Sequence, residues 1–339
     1  MKVLYWGTPQ YAVPTLTALH NAGHEIVGVV SQPDRRRGRG QRIFPSPVKD
    51  QAIRLGLRVF TPERIRHDTT CQQELAKLEA DISVVVAFGQ ILPSEVLNQP
   101  PLGCWNGHGS LLPRWRGAAP IQWSILEGDE ETGVGVMAME EGLDTGPVLL
   151  ERRISLNLLD NARDIGERLS NLTATLMLEA LPLIQSVGPG TLEERLARLE
   201  VRQQSSESCY ARMLTKQDFD LNWSQPALAL HRRIMGLYPN SLTFWRGKRL
   251  KITVSEPLIE RLKNQLSDQA AELVGRWKTG EHEPGKILDV IDNIGFVVSS
   301  SGCPLLIKEA QIEGRRCSSK ATLAQQMSTA IGDYLGSVD

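Results

Sequence analysis

The stretch ISVVVAFGQILP (82–93) decides the fold class of the first half of the chain. Its first part, residues 82–88, is an apolar run of the kind that a strand needs when helices cover both faces of its sheet. Such a strand belongs at the centre of a parallel sheet. The residues after it include a glycine and a proline, which indicate a turn.

Short β-rich runs and amphipathic segments alternate on both sides of this strand. This rhythm predicts a doubly wound, Rossmann-like α/β domain. The predicted strands lie at 3–6, 25–30, 58–60, 82–88, 104–108, 134–139 and 148–150, and the predicted helices lie near 11–22, 48–55, 72–79, 118–127 and 161–186.

The second half of the chain has a different pattern, with short strands separated by glycine-rich turns. This pattern predicts a small β-barrel of the OB type. Residues 258–283 are polar and helical in pattern, and we interpret them as an insertion in that barrel. The predicted organisation is an α/β domain over 1–189, a linker over 190–207, and a β-barrel domain over 208–339.

Composition narrows the class of protein. The chain has 339 residues, a net charge of -1 and five scattered cysteines without a CxxC pair. This cysteine usage predicts a reducing compartment and neither disulfides nor a metal site. No secretion signal or apolar run long enough to span a membrane occurs, so we expect a cytoplasmic protein without membrane contact.

Two segments carry the candidate chemistry, WNGHGSLLPRWRG (105–117) and EEGLDTG (140–146). Asn106 and His108 are two residues apart near the end of a predicted strand, so both side chains point to the same side. Ligands of open α/β sheets bind beyond the carboxyl ends of strands. Asp144 lies between Gly142 and Gly146, which we expect to let the backbone turn and bring its carboxylate inward.

An amide and an imidazole can together donate hydrogen bonds to an oxyanion that forms on a carbonyl group. A nearby carboxylate can orient the imidazole or take a proton. The set suits acyl transfer to an amine by direct attack, because neither Ser110 nor Cys104 has a neighbouring base that would make it a nucleophile. Taken singly, each of these polar residues is more often a turn or structural residue.

The string NGHGSLLPRWRGAAPIQ (106–122), with GLDTG (142–146), resembles the folate-dependent formyltransferases, and it is most similar to the members that formylate methionyl-tRNA. Further matches are WGTP, the QPDR segment with GRG and PSPVK, VAFGQILP, YARMLTKQD and PGKIL. The resemblance therefore covers nearly the whole chain.

The resemblance implies a formyltransferase that uses 10-formyltetrahydrofolate as donor and no metal. It assigns Asn106, His108 and Asp144 as the catalytic trio. It also implies that VAFGQILP contributes to the pterin pocket. The residues that it assigns to the folate site are Ser110, Leu111, Leu112 and Pro113.

The same resemblance implies methionyl initiator tRNA as the acceptor and a monomeric enzyme. In the family, a loop matching QPDRRRGRGQR (32–42) meets the tRNA, and the matching positions here are Arg39 and Arg42. Arginines on such a loop can contact phosphates and stack on unpaired bases. The β-barrel domain is expected to hold the tRNA as well.

Three other interpretations compete with this one. A dinucleotide-dependent oxidoreductase would need a GxGxxG motif, but WGTPQYA offers one glycine. A second alternative is a folate-dependent formyltransferase that acts on a sugar nucleotide or a purine-precursor amine. A non-catalytic tRNA-binding protein would be expected to have lost a member of the trio.

Overall fold

The computed structural model describes residues 1–37 and 42–336. The chain divides into two units, which we describe separately. The first consists of Met1–Pro120, Thr132–Ile154 and Gly166–Arg212. The second consists of Ile121–Glu131, Ser155–Ile165 and the chain from Met213 onward, so two segments from the first half of the sequence belong to it.

Up to residue 212, strands and helices alternate. The strands are β1 (Lys2–Gly7), β2 (Glu25–Val30), β3 (Arg35–Arg37), β4 (Arg42–Phe44), β5 (Val59–Phe60), β6 (Ile82–Val86), β7 (Cys104–His108), β8 (Arg116–Gly117), β9 (Glu131–Ala138), β10 (Val148–Ser155) and β11 (Tyr210–Ala211). The helices are α1 (Val13–Asn21), α2 (Pro47–Arg54), α3 (Thr69–Ala76), α4 (Ser94–Leu97), α5 (Pro120–Glu127), α6 (Ala162–Ser186) and α7 (Leu192–Leu196).

The main sheet of the first unit has the strand order β10-β9-β7-β6-β1-β2-β5. Strands β7, β6, β1, β2 and β5 run parallel, and β9 runs antiparallel to β7. The prediction of a doubly wound α/β domain is therefore confirmed. Strand β6 has three neighbours on each side and all five of its residues are buried, as its apolar run predicted.

The register of the sheet brings strand ends together at one edge. Gly7 at the end of β1 lies opposite Val86 at the end of β6, and Val85 lies opposite Asn106 of β7. The loops that follow β1, β6 and β7 therefore emerge side by side. This edge is where open α/β sheets bind their ligands.

Helix α6 packs directly against β7. The space beside Gly107 is so narrow that a Cβ atom at this position would lie 2.5 Å from Cγ2 of Thr173. Glycine is needed here because of this close approach. The contact fixes the segment that carries the residues on either side of Gly107.

The second unit is built on an antiparallel sheet of order β12-β13-β16-β15-β14, with β17 paired to β16. Its strands are β12 (Leu242–Trp245), β13 (Lys248–Pro257), β14 (Ile287–Ile291), β15 (Gly295–Val298), β16 (Leu305–Ile312) and β17 (Ser318–Ser319), and its helices are α8 (Ala227–Gly236), α9 (Asp268–Ala271) and α10 (Lys320–Met327).

Isolated bridges join the two edges of this sheet. Leu335 pairs with Trp245 of β12, and Tyr334 pairs with Lys286 beside β14. The sheet is thereby closed into a small barrel, as the strand pattern predicted. Helices α8 and α10 were not predicted from the sequence. The helices of the described ranges include none with the length and apolarity needed to cross a bilayer.

The polar segment 258–283 is held to the barrel by a buried carboxylate. Glu256 is 2% exposed and accepts hydrogen bonds from Lys308 at 2.7 Å and from the hydroxyl of Ser267 at 2.7 Å. Burial alone would raise the pKa of Glu256, but these hydrogen bonds outweigh burial and hold the pKa below its ordinary value. Because Ser267 is the N-cap of α9, the same carboxylate positions the start of that helix.

Candidate active site

Strand β7 carries two polar side chains to the ligand-binding edge of the main sheet. Asn106 is 9% exposed and His108 is 6% exposed. Both lie in a strand that is buried along its whole length and that pairs with β6 and β9. Their spacing of two residues places both side chains on the same face of the sheet, as the sequence predicted.

Asp144 lies in the loop between β9 and β10, and its own backbone is left-handed, with φ of 54°. We expected Gly142 and Gly146 to supply the turn, but neither has a positive φ. Gly146 is needed for another reason, because a Cβ atom there would collide with the carbonyl oxygen of Ala138. Asp144 therefore adopts the left-handed backbone conformation, which residues with a side chain rarely adopt.

The carboxylate of Asp144 meets both strand residues. Nδ2 of Asn106 donates to Oδ1 at 3.3 Å, and the backbone N–H of Gly117 donates to Oδ2 at 2.8 Å. Nδ1 of His108 lies 3.6 Å from Oδ2, which is an electrostatic contact but too long for a hydrogen bond. The structure thus brings Asn106, His108 and Asp144 together.

The other imidazole nitrogen fixes which way His108 faces. Nε2 lies 2.9 Å from the carbonyl oxygen of Trp115. A carbonyl oxygen can only accept, so Nε2 must carry the hydrogen. Nδ1 is therefore the nitrogen that faces Asp144, and it becomes a second donor when the ring is doubly protonated.

The residues predicted to form the folate site lie in the loop after β7. The hydroxyl of Ser110 is buried and donates to the carbonyl oxygen of Arg114 at 2.7 Å. Leu112 packs in a buried cluster with two other side chains, Met137 and Val148. Leu111 and Pro113 are partly exposed. Ser110 and Leu112 therefore shape the loop, while Leu111 and Pro113 retain accessible surface.

The segment VAFGQILP (86–93) contributes one aromatic side chain to the core and one apolar side chain to the accessible surface. Phe88 is buried and meets the ring of Trp6 edge to face, with 5.1 Å between ring centroids, so it belongs to the core. Ile91 is 64% exposed, and Leu143 in the loop of Asp144 is 48% exposed. Ile91 lies in the segment that the sequence predicted to contribute to the pterin pocket, but Leu143 was not identified, because a lone apolar residue in a loop has no periodic pattern.

A hydrogen bond joins the loop after β6 to the loop of Asp144. The hydroxyl of Ser94, the first residue of α4, donates to the carboxylate of Glu141. The exposed residues Ile91 and Leu143 are each within three residues of this bond in sequence. The two loops therefore present apolar surface at the edge that carries the trio.

Cys104 begins strand β7 but has no nucleophilic character. Its side chain is buried, and its thiol contacts the carbonyl oxygen of Leu97 at 3.6 Å. Burial raises the pKa of the Cys104 thiol to about 12. The thiol therefore stays protonated near neutral pH, and the thiolate is the nucleophilic form.

The arginine-rich loop is described in part. Arg39, one of the two positions predicted to bind tRNA, lies outside the described residues. Arg42 is exposed and begins β4, which pairs antiparallel with β3. Beside this pair lies a groove of about 630 Å³, lined by Phe44 and Pro45 together with residues of α2.

Sequence reasoning missed Gln204, which contacts the loop of Asp144. Gln204 donates to the carbonyl oxygens of Asp144 and Gly146 and accepts from Arg116. Gln204 belongs to a segment interpreted as linker, and no motif distinguishes it there. Within the described ranges, no three His, Cys, Asp or Glu side chains are grouped so that they could hold a metal ion.

Comparison with protein families gives matches to both halves of the chain. The sequence model of the family described as formyl transferase matches residues 1–181. The model described as formyl transferase, C-terminal domain, matches residues 213–327.

Relatives match over nearly the whole length. A protein of Parasynechococcus marenigrum (strain WH8102), named methionyl-tRNA formyltransferase, is 67% identical over 336 residues, and the match covers 99% of each chain. A protein of the same name from Prochlorococcus marinus (strain MIT 9303) is 60% identical over 339 residues, again with 99% of each chain covered.

Solved structures with this fold are more distant in sequence. An N-formyltransferase from Helicobacter canadensis, in complex with folinic acid and dTDP-3-aminofucose, has a TM-score of 0.60 and 18% identity, and the match covers 91% of this chain and 98% of that one. HypX from Aquifex aeolicus in complex with tetrahydrofolic acid has a TM-score of 0.59 and 12% identity, with 98% of this chain and 48% of that one covered. At these identities the likeness shows the fold alone.

Proposed function

The chain belongs to the formyl transferase family, and we propose that it transfers the formyl group of 10-formyltetrahydrofolate to the amino group of methionyl initiator tRNA. The products are N-formylmethionyl-tRNA and tetrahydrofolate. The observation that carries this proposal is the full-length match, at 67% identity, to a protein named methionyl-tRNA formyltransferase. The convergence of Asn106, His108 and Asp144 supplies the chemistry.

The trio divides the work of the reaction. Attack of the methionyl amine on the formyl carbon places negative charge on the formyl oxygen. One hydrogen of Asn106 Nδ2 is directed to Asp144, so the second is available to that oxygen. His108 donates from Nδ1 when its ring carries both hydrogens, because Nε2 already donates to Trp115. Two such donors stabilise the charge as it develops.

Asp144 is the residue that accepts the proton lost by the amine. Its carboxylate is 14% exposed and lies beside both donors, so water can reach it. The N–H of Gly117 holds Oδ2 in place through a hydrogen bond of 2.8 Å. The carboxylate can accept the proton directly or through a water molecule and return it to the folate nitrogen N10, which leaves as the bond between N10 and the formyl carbon breaks.

The folate donor fits the surface beside the trio. A flat heteroaromatic ring needs apolar faces and hydrogen bonds at its edge. Ile91 and Leu143 supply exposed apolar surface, while Ala87 and Gly89 are exposed and offer backbone groups. We therefore assign the donor to the loops after β6, β7 and β9, with Leu111 and Pro113 contributing their accessible surface.

The acceptor's RNA fits the β3–β4 pair and its groove. Arg35, Arg36 and Arg42 are exposed on these strands and can contact phosphates. Phe44 is 45% exposed and lines the groove, so an unpaired base can stack on its ring. Arg39 stays a prediction of the resemblance. The groove includes Gln10, which follows β1, so it opens near the edge that carries the trio.

The test of this proposal is the choice of acceptor. The purified protein is incubated with 10-formyltetrahydrofolate and one of three amines: methionyl initiator tRNA, free methionine, or an amino-sugar nucleotide. We expect formylation of the methionyl-tRNA alone. A His108→Ala variant serves as the control that ties turnover to the site.

Three results would overturn the proposal in whole or in part. Formylation of the sugar nucleotide but not of the tRNA would leave a formyltransferase with a different acceptor. Absence of turnover with every amine, while methionyl-tRNA is still bound, would indicate a binding protein. Turnover by His108→Ala at the wild-type rate would remove the trio from the chemistry.

A further inference from the structure

Asp144 adopts its left-handed backbone conformation at the centre of the candidate site. Its φ of 54° lies in a region that residues with a side chain populate rarely. Such a conformation persists only where the surrounding structure holds it. The contacts of the Asp144 backbone therefore decide where its carboxylate points.

Gln204 supplies those contacts. Its Nε2 donates to the carbonyl oxygen of Asp144 at 2.9 Å and to that of Gly146 at 2.6 Å. Its Oε1 accepts from Nε and Nη2 of Arg116 at 3.0 Å and 2.8 Å. Carbonyl oxygens only accept and a guanidinium only donates, so this is the one orientation of the amide that satisfies all four contacts.

Arg116 and its neighbour Gly117 connect strand β8 to the backbone and to the carboxylate of Asp144. Arg116 is 8% exposed, so its hydrogen bonds to Gln204 are sheltered from solvent. The next residue in β8, Gly117, donates its N–H to the Asp144 carboxylate at 2.8 Å. The same two-residue strand therefore holds the carboxylate directly and the backbone through Gln204.

The segment that carries Gln204 is anchored on both sides. Before it, Arg202 forms a pair of backbone hydrogen bonds with Val148 at 2.8 Å and 2.9 Å. After it, the carbonyl oxygen of Cys209 accepts from the N–H of Arg116 at 3.0 Å, and β11 pairs with β8. The backbone of the segment that carries Gln204 is thus fixed to β10 on one side and to β8 on the other.

We propose that Gln204 is a positioning residue for formyl transfer, which holds the loop of Asp144 so that its carboxylate faces Asn106 and His108. This inference rests on the proposed function. Gln204 reaches only backbone atoms of that loop, so its effect passes through Asp144. The partners that remain after its removal are two carbonyl groups without their donor and a buried guanidinium without its acceptor.

The test compares Gln204→Ala and Gln204→Glu with Gln203→Ala. Gln203 is the matched control, because it is the same residue type one position away and is exposed. A displacement of a catalytic group by about 1 Å costs roughly 10²-fold in rate. We expect Gln204→Ala to lower kcat by up to roughly 10²-fold and to leave KM for methionyl-tRNA unchanged.

Gln204→Glu keeps the contact with Arg116 but faces the carbonyl oxygens of Asp144 and Gly146 with an oxygen that cannot donate. We therefore expect it to lower kcat as well, although it preserves size and attraction to the guanidinium. Gln203→Ala keeps the wild-type kcat. A wild-type kcat in Gln204→Glu would overturn the proposal, because the two donated hydrogen bonds would then have no role.

A double-variant cycle separates positioning from general stability. In an Asp144→Ala background, Gln204→Ala should lower kcat no further, since the residue through which it acts is gone. A loss that multiplies in that background would overturn the proposal. Midpoints of thermal unfolding, measured on the same samples, show that the comparison is made on folded protein.

Hydrogen exchange tests the positioning without relying on turnover. We expect peptides that cover residues 140–148 to exchange faster in Gln204→Ala than in Gln203→Ala. Unchanged exchange would overturn the inference even where the wild type formylates methionyl-tRNA. Absence of formylation by the wild type would instead overturn the proposed function, and the exchange result would still decide whether Gln204 holds the loop.

Discussion

At the scale of single residues, the chemistry of the site depends on which side-chain atoms remain available for the reaction. His108 gives one nitrogen to a backbone carbonyl and keeps the other for the reaction. Asp144 receives a backbone N–H on the oxygen that also faces His108. Each contact reduces the freedom of a side chain before substrate binds, so less reorganisation is needed during the reaction.

The thiol of Cys104 tests the direct-attack mechanism. Because burial raises its pKa to about 12, we expect no acyl-enzyme intermediate at this position. Cys104→Ala should therefore keep the wild-type kcat for methionyl-tRNA. The check is steady-state kinetics together with mass spectrometry of the protein after a quench. A formylated Cys104, or a large loss of kcat in a folded variant, would contradict direct attack.

The sequence could predict the pairing of Asn106 with His108 because a strand repeats every two residues. It also predicted that Asp144 lies in a loop between strands. It could not predict that Asp144, rather than a neighbouring glycine, is left-handed, because that conformation depends on Gln204 about sixty residues away. A contact of this range leaves no local pattern in one sequence.

At the scale of secondary-structure elements, the packing of α6 against β7 sets the position of both strand residues. A methyl group at position 107 would lie 2.5 Å from Cγ2 of Thr173. The hydroxyl of Thr173 meanwhile donates to the carbonyl oxygen of Leu169 at 2.7 Å and contacts the hydroxyl of Tyr11 at 2.8 Å. Within the Thr173 side chain, only the methyl group would therefore clash with a Cβ atom at position 107.

Gly107→Ala should therefore lower both stability and kcat. Overpacking of a core costs about 1–3 kcal/mol. Thr173→Ser removes the methyl and keeps the hydroxyl, so the double variant should recover most of the loss. Urea unfolding and kcat of the two single variants and the double variant give the answer. Additive losses would show that the close approach is not what makes glycine necessary.

The β3–β4 pair should act on tRNA affinity rather than on chemistry. Arg42→Ala removes one exposed cation, so we expect KM for methionyl-tRNA to rise while kcat stays unchanged. The slope of log affinity against log salt should become shallower by about 0.7–0.9. Arg152→Ala is the control, since Arg152 is an exposed arginine that pairs with Glu179. Equal effects of the two variants would contradict a specific contact at Arg42.

At the scale of the whole molecule, the two units are stabilised by different kinds of buried groups. The first has a covered sheet whose apolar strands identified it in the sequence. The second has a barrel with buried polar groups, among them His231, which is 0% exposed. Its Nε2 donates to the carbonyl oxygen of Leu158 at 2.8 Å, and its Nδ1 lies 3.1 Å from the hydroxyl of Ser255.

The buried His231 predicts a pH dependence of stability. Burial lowers the pKa of His231 below its unfolded value of about 6.5, although nearby Glu256 acts in the opposite direction. The unfolded chain therefore binds the proton more readily. This contribution to stability is complete above about pH 6.5 and is lost as pH falls, by up to about 1.4 kcal/mol per pH unit.

His231→Gln removes the titrating group and keeps a donor and an acceptor. Urea unfolding at pH 7.5 and at pH 5.5 compares the two proteins. We expect the wild type to lose more stability than the variant between these pH values. Equal losses would show that His231 does not titrate differently in the folded and unfolded states.

The central claim is that Asn106, His108 and Asp144 transfer a formyl group to methionyl-tRNA. The most direct measurement is the single-turnover rate constant of Asn106→Ala with saturating 10-formyltetrahydrofolate and methionyl initiator tRNA. Loss of one donor to a developing oxyanion should lower this constant by roughly 10²- to 10³-fold while the affinity for the tRNA stays unchanged. A wild-type rate constant in the folded variant would contradict the account.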